Sequence, residues 1–230
     1  PFACILLSIA LFPLFAPKMW HHSFGKITAA WTLLFLIPFT IVYGAGEAVH
    51  TVAHAIIAEY IPFILLLWAL FTVSGGILVK GNIHGSAKTN TIILALGTVL
   101  ASLMGTTGAA MLLIRPLLRA NDNRKHQVHV VVFFIFLVAN IGGGLTPLGD
   151  PPLFLGFLKG VDFMWTVEHM ALPVFISSVI LLVVFYALDS HYWRKETERK
   201  RIDPTPDSKI SISGKLNFVW LLGIIAAVLM

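Results

Sequence analysis

Charge is scarce in this chain. Asp, Glu, Lys and Arg make up only 12% of its 230 residues, where a soluble domain carries roughly 25%. With 57% hydrophobic residues and a mean hydropathy of +0.87, it belongs in a bilayer rather than in water. Cysteine is almost missing too. The single Cys4 lies in an apolar run, which excludes a disulfide framework and a thiolate metal site. No Gly-x-x-x-x-Gly-Lys-Ser/Thr loop occurs, so a nucleotide site and ATP-driven pumping by this chain are not expected. No nucleophile stands beside a base: Ser102 and Ser177 lie in apolar runs. Neither an enzyme nor a cofactor is therefore expected. The net charge of +5 does not point to nucleic acid, because the basic residues fall between apolar segments, where topology accounts for them.

What the chain has is a series of apolar segments, at 2–17, 27–44, 60–79, 91–118, 128–158, 169–188 and 216–230. A straight crossing needs about 20 apolar residues, which 60–79 and 169–188 supply. The runs are continuous rather than alternating, so helices are expected and barrel strands are not. Both ends of the chain lie in apolar runs, so we expect a piece of a longer protein.

Direction follows from Lys and Arg. With loop 18–26 on the cytoplasmic side, loops 80–90, 119–127 and 189–215 are cytoplasmic, and 45–58 and 159–168 are outside. Of the 16 Lys and Arg, all but Lys159 then fall inside. This works only if 91–118 enters and leaves on one side. An ordinary crossing there would put Arg194, Lys195, Arg199, Lys200 and Arg201 outside. The segment's own sequence agrees, with Met104-Gly-Thr-Thr-Gly108 in its middle. Each arm has about 13 residues, or about 20 Å, too short for a roughly 30 Å hydrocarbon core. A re-entrant helical hairpin is predicted, rather than one long kinked helix. Trp20, Trp165 and Trp193 fall at the expected interfaces. The run 189–215 reads as a cytoplasmic linker, and Arg115 is expected to snorkel to that surface.

The strongest pointer to function is Asn140-Ile-Gly-Gly-Gly-Leu-Thr-Pro-Leu-Gly-Asp-Pro-Pro152, a helix-breaking run inside the apolar segment 128–158. Backbone unpaired in hydrocarbon is costly, so such a break persists only where protein, water or an ion satisfies it. Discontinuous helices of this kind mark the sites of transporters. Asp150 alone among the eleven acidic residues lies deep in an apolar region. It must be protonated, paired or bound to a cation. These are the states a proton-coupled cation carrier exchanges. The other reading is a helix cap, since Asp150 directly precedes Pro151. Asn140 and Thr146 offer neutral oxygens that suit Na+; each has the alternative of bonding nearby backbone. Gly142, Gly143, Gly144 and Gly149 permit an unwound backbone. Gly105, Thr106, Thr107 and Gly108 would bring the hairpin tip to the same place. Glu47, His50 and His54 have helical spacing, but without a fourth ligand they read as a surface helix rather than a zinc site. His126 and His129 open the broken segment, where they are expected to be interfacial, with pH sensing as the alternative.

The hairpin tip followed by Asn140-Ile-Gly-Gly, Thr146 and Gly149-Asp-Pro-Pro152 resembles the ion-transporter superfamily, and within it the D-type Na+/H+ antiporters; arsenite and citrate carriers are related. The resemblance covers nearly all of the chain, as the first half of such a protein. It implies an all-α polytopic membrane protein, one repeat of an inverted-repeat transporter, in a homodimer with an elevator-like transport domain. Residues 1–90 would be scaffold helices and 91–160 the transport-type unit, with hairpin 91–118 and broken helix 128–158. A membrane helix at 161–188, the linker 189–215 and the start of a helix at 216–230 would follow. Thr106, Thr107, Asn140, Thr146 and Asp150 would face the site. Exchange of Na+ for H+ across a bacterial-type inner membrane is the implied function. Transport of citrate, a dicarboxylate or arsenite is the first alternative, and a non-transporting scaffold subunit the second. The carboxylate carriers carry Ser-Asn-Thr at the tip, where this chain has Gly105-Thr-Thr-Gly108. That departure favours cation exchange.

Overall fold

In a computed structural model of the chain, residues 1–81, 83–196 and 211–230 are described, and they form two compact units, Pro1–Tyr60 and Ile61–Met230. Most of the linker assigned to 189–215 lies outside the described residues.

The first unit holds α1 (Phe2–Phe15), α2 (Pro17–Tyr43) and α3 (Ala45–His54), which ends in a π-helical turn at Ala55–Tyr60. Loops expected at 18–26 and 45–58 are helical instead. Polar side chains alone do not stop a helix; the chain breaks only at Ala16, ahead of Pro17, and at Gly44, whose φ is +90°. α1 and α2 are pinned by the Trp31 indole N–H, which donates to the Ser8 hydroxyl at 3.1 Å. His50 and His54 lie near each other on α3, with ring centroids 6.4 Å apart. Among the described residues no cluster of three or more metal-ligating side chains exists.

The second unit contains α4 (Ile61–Gly75), β1 (Leu78–Lys80), α5 (Ala87–Ala120), α6 (Val128–Leu137), a 3₁₀ turn at Ile141–Gly144, α7 (Pro151–Leu158), α8 (Phe163–Lys195), β2 (Ser211–Ser213) and α9 (Leu216–Leu229). By length and composition α5 could cross a bilayer. It does not run straight, however. Gly105, at φ 78° and ψ 153°, interrupts it, and the two arms fold back on each other. The Asn90 and Asn121 side-chain amides exchange two hydrogen bonds of 2.9 Å, and Gly85 N–H donates to Ala120 O at 2.7 Å. Residues 31 positions apart on one straight helix would stand about 46 Å from each other. The expected hairpin is therefore present, with arms longer than the apolar run suggested. Ser86 starts it, accepting from Thr89 N–H at 3.1 Å, and Asn90 is buried through its polar partners instead of through hydrophobicity.

The arms approach closely at Gly97, whose lack of a side chain leaves room for larger neighbours, as small residues do in membrane helix packing generally. A Cβ on Gly97 would lie 2.6 Å from a Val138 methyl and 2.9 Å from a Leu113 methyl. α8 begins at Phe163, earlier than the apolar segment at 169–188, because Asp162 accepts from Met164 and Trp165 N–H. It also runs past Leu188 to Lys195, into the stretch read as linker. A short antiparallel ladder pairs β1 with β2, Val79 opposite Ile212, and it interrupts the expected all-helical pattern. It joins two loops that the Lys and Arg count assigns to one side.

Candidate ion site

The hairpin tip and the helix break meet. Thr106 N–H donates to Gly149 O at 3.2 Å, and a Cβ on Gly105 would lie 3.3 Å from Leu148 O. Below the tip, Ser102 Oγ donates to Gly142 O at 2.6 Å, and Thr146 Oγ1 donates to Ser102 O. These bonds satisfy the backbone that the break frees, as burial demands. Within the break, Gly143 and Gly149 face each other so tightly that a Cβ on Gly149 would lie 2.2 Å from Gly143 O. No side chain fits there, which is why both positions are glycine.

A cavity of about 340 Å³ opens beside this junction, lined by Gly105, Thr106, Thr107 and Gly108 of the tip, Gly149 and Asp150 of the break, and apolar side chains of α4 and α7. Among the described residues Asp150 is the only charged side chain lining it. Asp150 takes the N-cap position of α7, with Pro151 in the first turn, yet its carboxylate makes no cap bond. Its backbone carbonyl starts the helix by accepting from Leu153 and Phe154 N–H. Among the described residues no hydrogen bond or ion pair engages the carboxylate, nor does any hydrogen bond engage the hydroxyls of Thr106 and Thr107. The cavity thus combines one unpartnered acid, two unpartnered hydroxyls and an apolar wall, which is a setting for a small cation or a proton.

The other sequence candidates lie elsewhere. Asn140 is exposed, and its amide donates to Ile135 O at 2.7 Å, so it closes the end of α6. Thr146 is buried and lines a separate apolar cavity of about 730 Å³ between the first hairpin arm and α8. Gly108 does not break the backbone; it is helical and packs where a Cβ would lie 2.4 Å from Ser74 Oγ. Only Gly105 makes the turn. Gly142, Gly143 and Gly144 form the 3₁₀ turn, and Arg115 is exposed on the second arm.

One cluster escaped the sequence reading. At the hairpin's base Asp189 is fully buried, and its carboxylate accepts from Arg124, from His129 Nε2 at 2.7 Å and from Asn90 at 2.9 Å. Arg124 also donates to Asn121 at 3.0 Å and lies over the Trp193 ring. The available signal was the Asn pair flanking the apolar arms, Asn90 and Asn121. It was hidden because Asp189 falls just past an apolar run and reads as linker.

A helical hairpin locked against a broken helix, with an acid at the junction and apolar surface elsewhere, defines a membrane transport protein. A family model described as "Putative citrate transport" matches residues 1–230, and the chain belongs to that family. It is thus an integral membrane protein of the ion and citrate transporter type, with an all-α polytopic fold. The match supports the citrate-carrying alternative and does not single out the D-type antiporters. No curated protein and no solved structure matches the chain.

Proposed function

We propose that the chain is a secondary transporter that couples a cation to a citrate-class cargo, with the cation at Asp150. The observation carrying this reading is the free carboxylate at the point where tip and break touch. An ionised acid against an apolar wall is several kcal/mol unfavourable without a counter-ion. Asp150 would therefore hold either a proton or a cation such as Na+, with Thr106 and Thr107 supplying neutral oxygens. Asn140 and Thr146 would preserve the shape of the break. The Thr106–Gly149 and Ser102–Gly142 bonds tie hairpin and break together, which supports their moving as one body in an elevator-like exchange. A homodimer, an inverted second repeat and a bacterial-type inner membrane belong to the same proposal.

Citrate as cargo rests on the family's description. Among the described residues no Lys, Arg or His lines the Asp150 cavity, so a polycarboxylate would come beside this acid only with its charge screened by a cation. The same lack of basic groups supports a second reading, Na+/H+ exchange without citrate. Uptake of labelled citrate by proteoliposomes, measured against Na+ and pH gradients, separates the two. Cation-dependent uptake supports the first. Na+-driven proton movement without citrate uptake supports the second, and neither activity would end both.

A further inference from the structure

Far from the Asp150 cavity, at the end of the second unit where α6 starts and α8 finishes, lies a recess of about 410 Å³. Its rim carries Lys125, His126, His129 and Tyr192, and its floor is Val132, Phe133 and Leu188. We infer that this recess binds an anionic phospholipid, with the phosphate at Lys125 and His126 and an acyl chain along Val132, Phe133 and Leu188.

The charges around the rim favour an anion. Lys125 is exposed, and among the described residues no hydrogen bond or ion pair engages its ammonium or the His126 ring nitrogens. Two acids close to these residues are hydrogen-bonded. Asp189 is buried against Arg124, His129 and Asn90. Glu196 Oε1 accepts from Lys125 and His126 N–H, at 3.1 Å each. Lys195 adds a further cation, its Nζ 5.9 Å from the Tyr192 ring centroid. Asp122, exposed, is the remaining acid on this loop. Of these charged groups Lys125 alone, among the described residues, lines the recess, while Glu196 and Asp122 lie outside its lining.

The recess is also built for an amphiphile. His126 and His129 flank Tyr192, with ring centroids 5.1 and 4.9 Å away, giving the amphipathic aromatic wall typical of a membrane interface. The apolar floor continues along α6 and α8 in the direction of the hydrocarbon, which a free phosphate would leave uncovered. Basic pockets between membrane helices on the cytoplasmic side suit anionic headgroups, and the Lys and Arg distribution assigns this end to that side. Because His129 holds Asp189, a bound headgroup would press directly on the cluster that closes the hairpin's base.

The test titrates the full-length protein in detergent with phosphatidylglycerol, with phosphatidylcholine of the same chains and with inorganic phosphate. Binding is read by native mass spectrometry. The comparison variant is Lys125→Ala/His126→Ala, which keeps the backbone N–H groups that Glu196 holds and so keeps the loop. Phosphatidylglycerol should bind wild type at least about fivefold more tightly than phosphatidylcholine, and the double variant should lose that preference. Equal binding of both lipids, or an unchanged preference in the double variant, would overturn the proposal. Displacement of phosphatidylglycerol by equimolar inorganic phosphate would overturn it too, by making the recess a free-anion site.

Discussion

The two ends of the hairpin each hold an acid, and the acids are treated oppositely. At the base, Asp189 has no exposed surface and is saturated by a guanidinium, an imidazole and an amide. At the tip, Asp150 lines a cavity with its carboxylate unengaged. A buried acid with a full set of donors is a structural device, since exchange of any partner would be costly. An acid left open in an apolar recess holds that free energy in reserve for a ligand. The comparison teaches that the same residue type is fully engaged at one end and left open at the other, and that the donors around it decide which.

Substitution can break this contrast most sharply at Asp150. Asp150→Asn should lower cation-coupled transport about 100-fold, the scale of roughly 3 kcal/mol from a lost charged contact. It should leave thermal unfolding in detergent nearly unchanged, because among the described residues the carboxylate makes no hydrogen bond that Asn would lose. A variant that unfolds instead would make Asp150 a second structural device.

Asp189→Asn should do the reverse. Leaving the buried Arg124 without its counter-charge costs about 3–5 kcal/mol, visible as a lower unfolding midpoint and poor yield of folded protein. Full stability in this variant would remove the distinction between base and tip.

The junction itself answers to smaller changes. Gly105→Ala forces a Cβ into a backbone region essentially reserved for glycine, at a cost of about 1–3 kcal/mol. Gly149→Ala meets Gly143 O, with an overpacking cost of about 1–3 kcal/mol. Both should lower transport and stability together, which separates them from Asp150→Asn. Ser102→Ala, which removes the hydroxyl held by Gly142 O, should lower stability by about 1 kcal/mol in the same unfolding assay.

Much of the second unit was legible because its signals are local and chemical. Gly105 and the Asn140–Pro152 run break helices by their own backbone preferences, and the Lys and Arg count required 91–118 to enter and leave on one side. Asp150 was legible as a charge out of place. Helix extents were less so: α2, α3 and α8 run through polar residues that read as loops, because polarity marks exposure and not helix ends. The roles of Asn140 and Thr146 were hidden in three dimensions, since both spend their hydrogen bonds on distant or preceding carbonyls, Ser102 O and Ile135 O. The Asp189 cluster joins residues from four stretches of sequence, and no linear pattern records such a meeting. The strand pair of β1 and β2 escaped for the same reason.

The most direct test of the central claim is the cation dependence of labelled-citrate uptake in proteoliposomes, wild type against Asp150→Asn. Wild type should show uptake that saturates with Na+ or rises with an inward proton gradient, and Asp150→Asn should retain neither response. Uptake in Asp150→Asn with the same cation dependence as wild type would contradict the account, since the free acid at the hairpin tip would then hold no coupling ion.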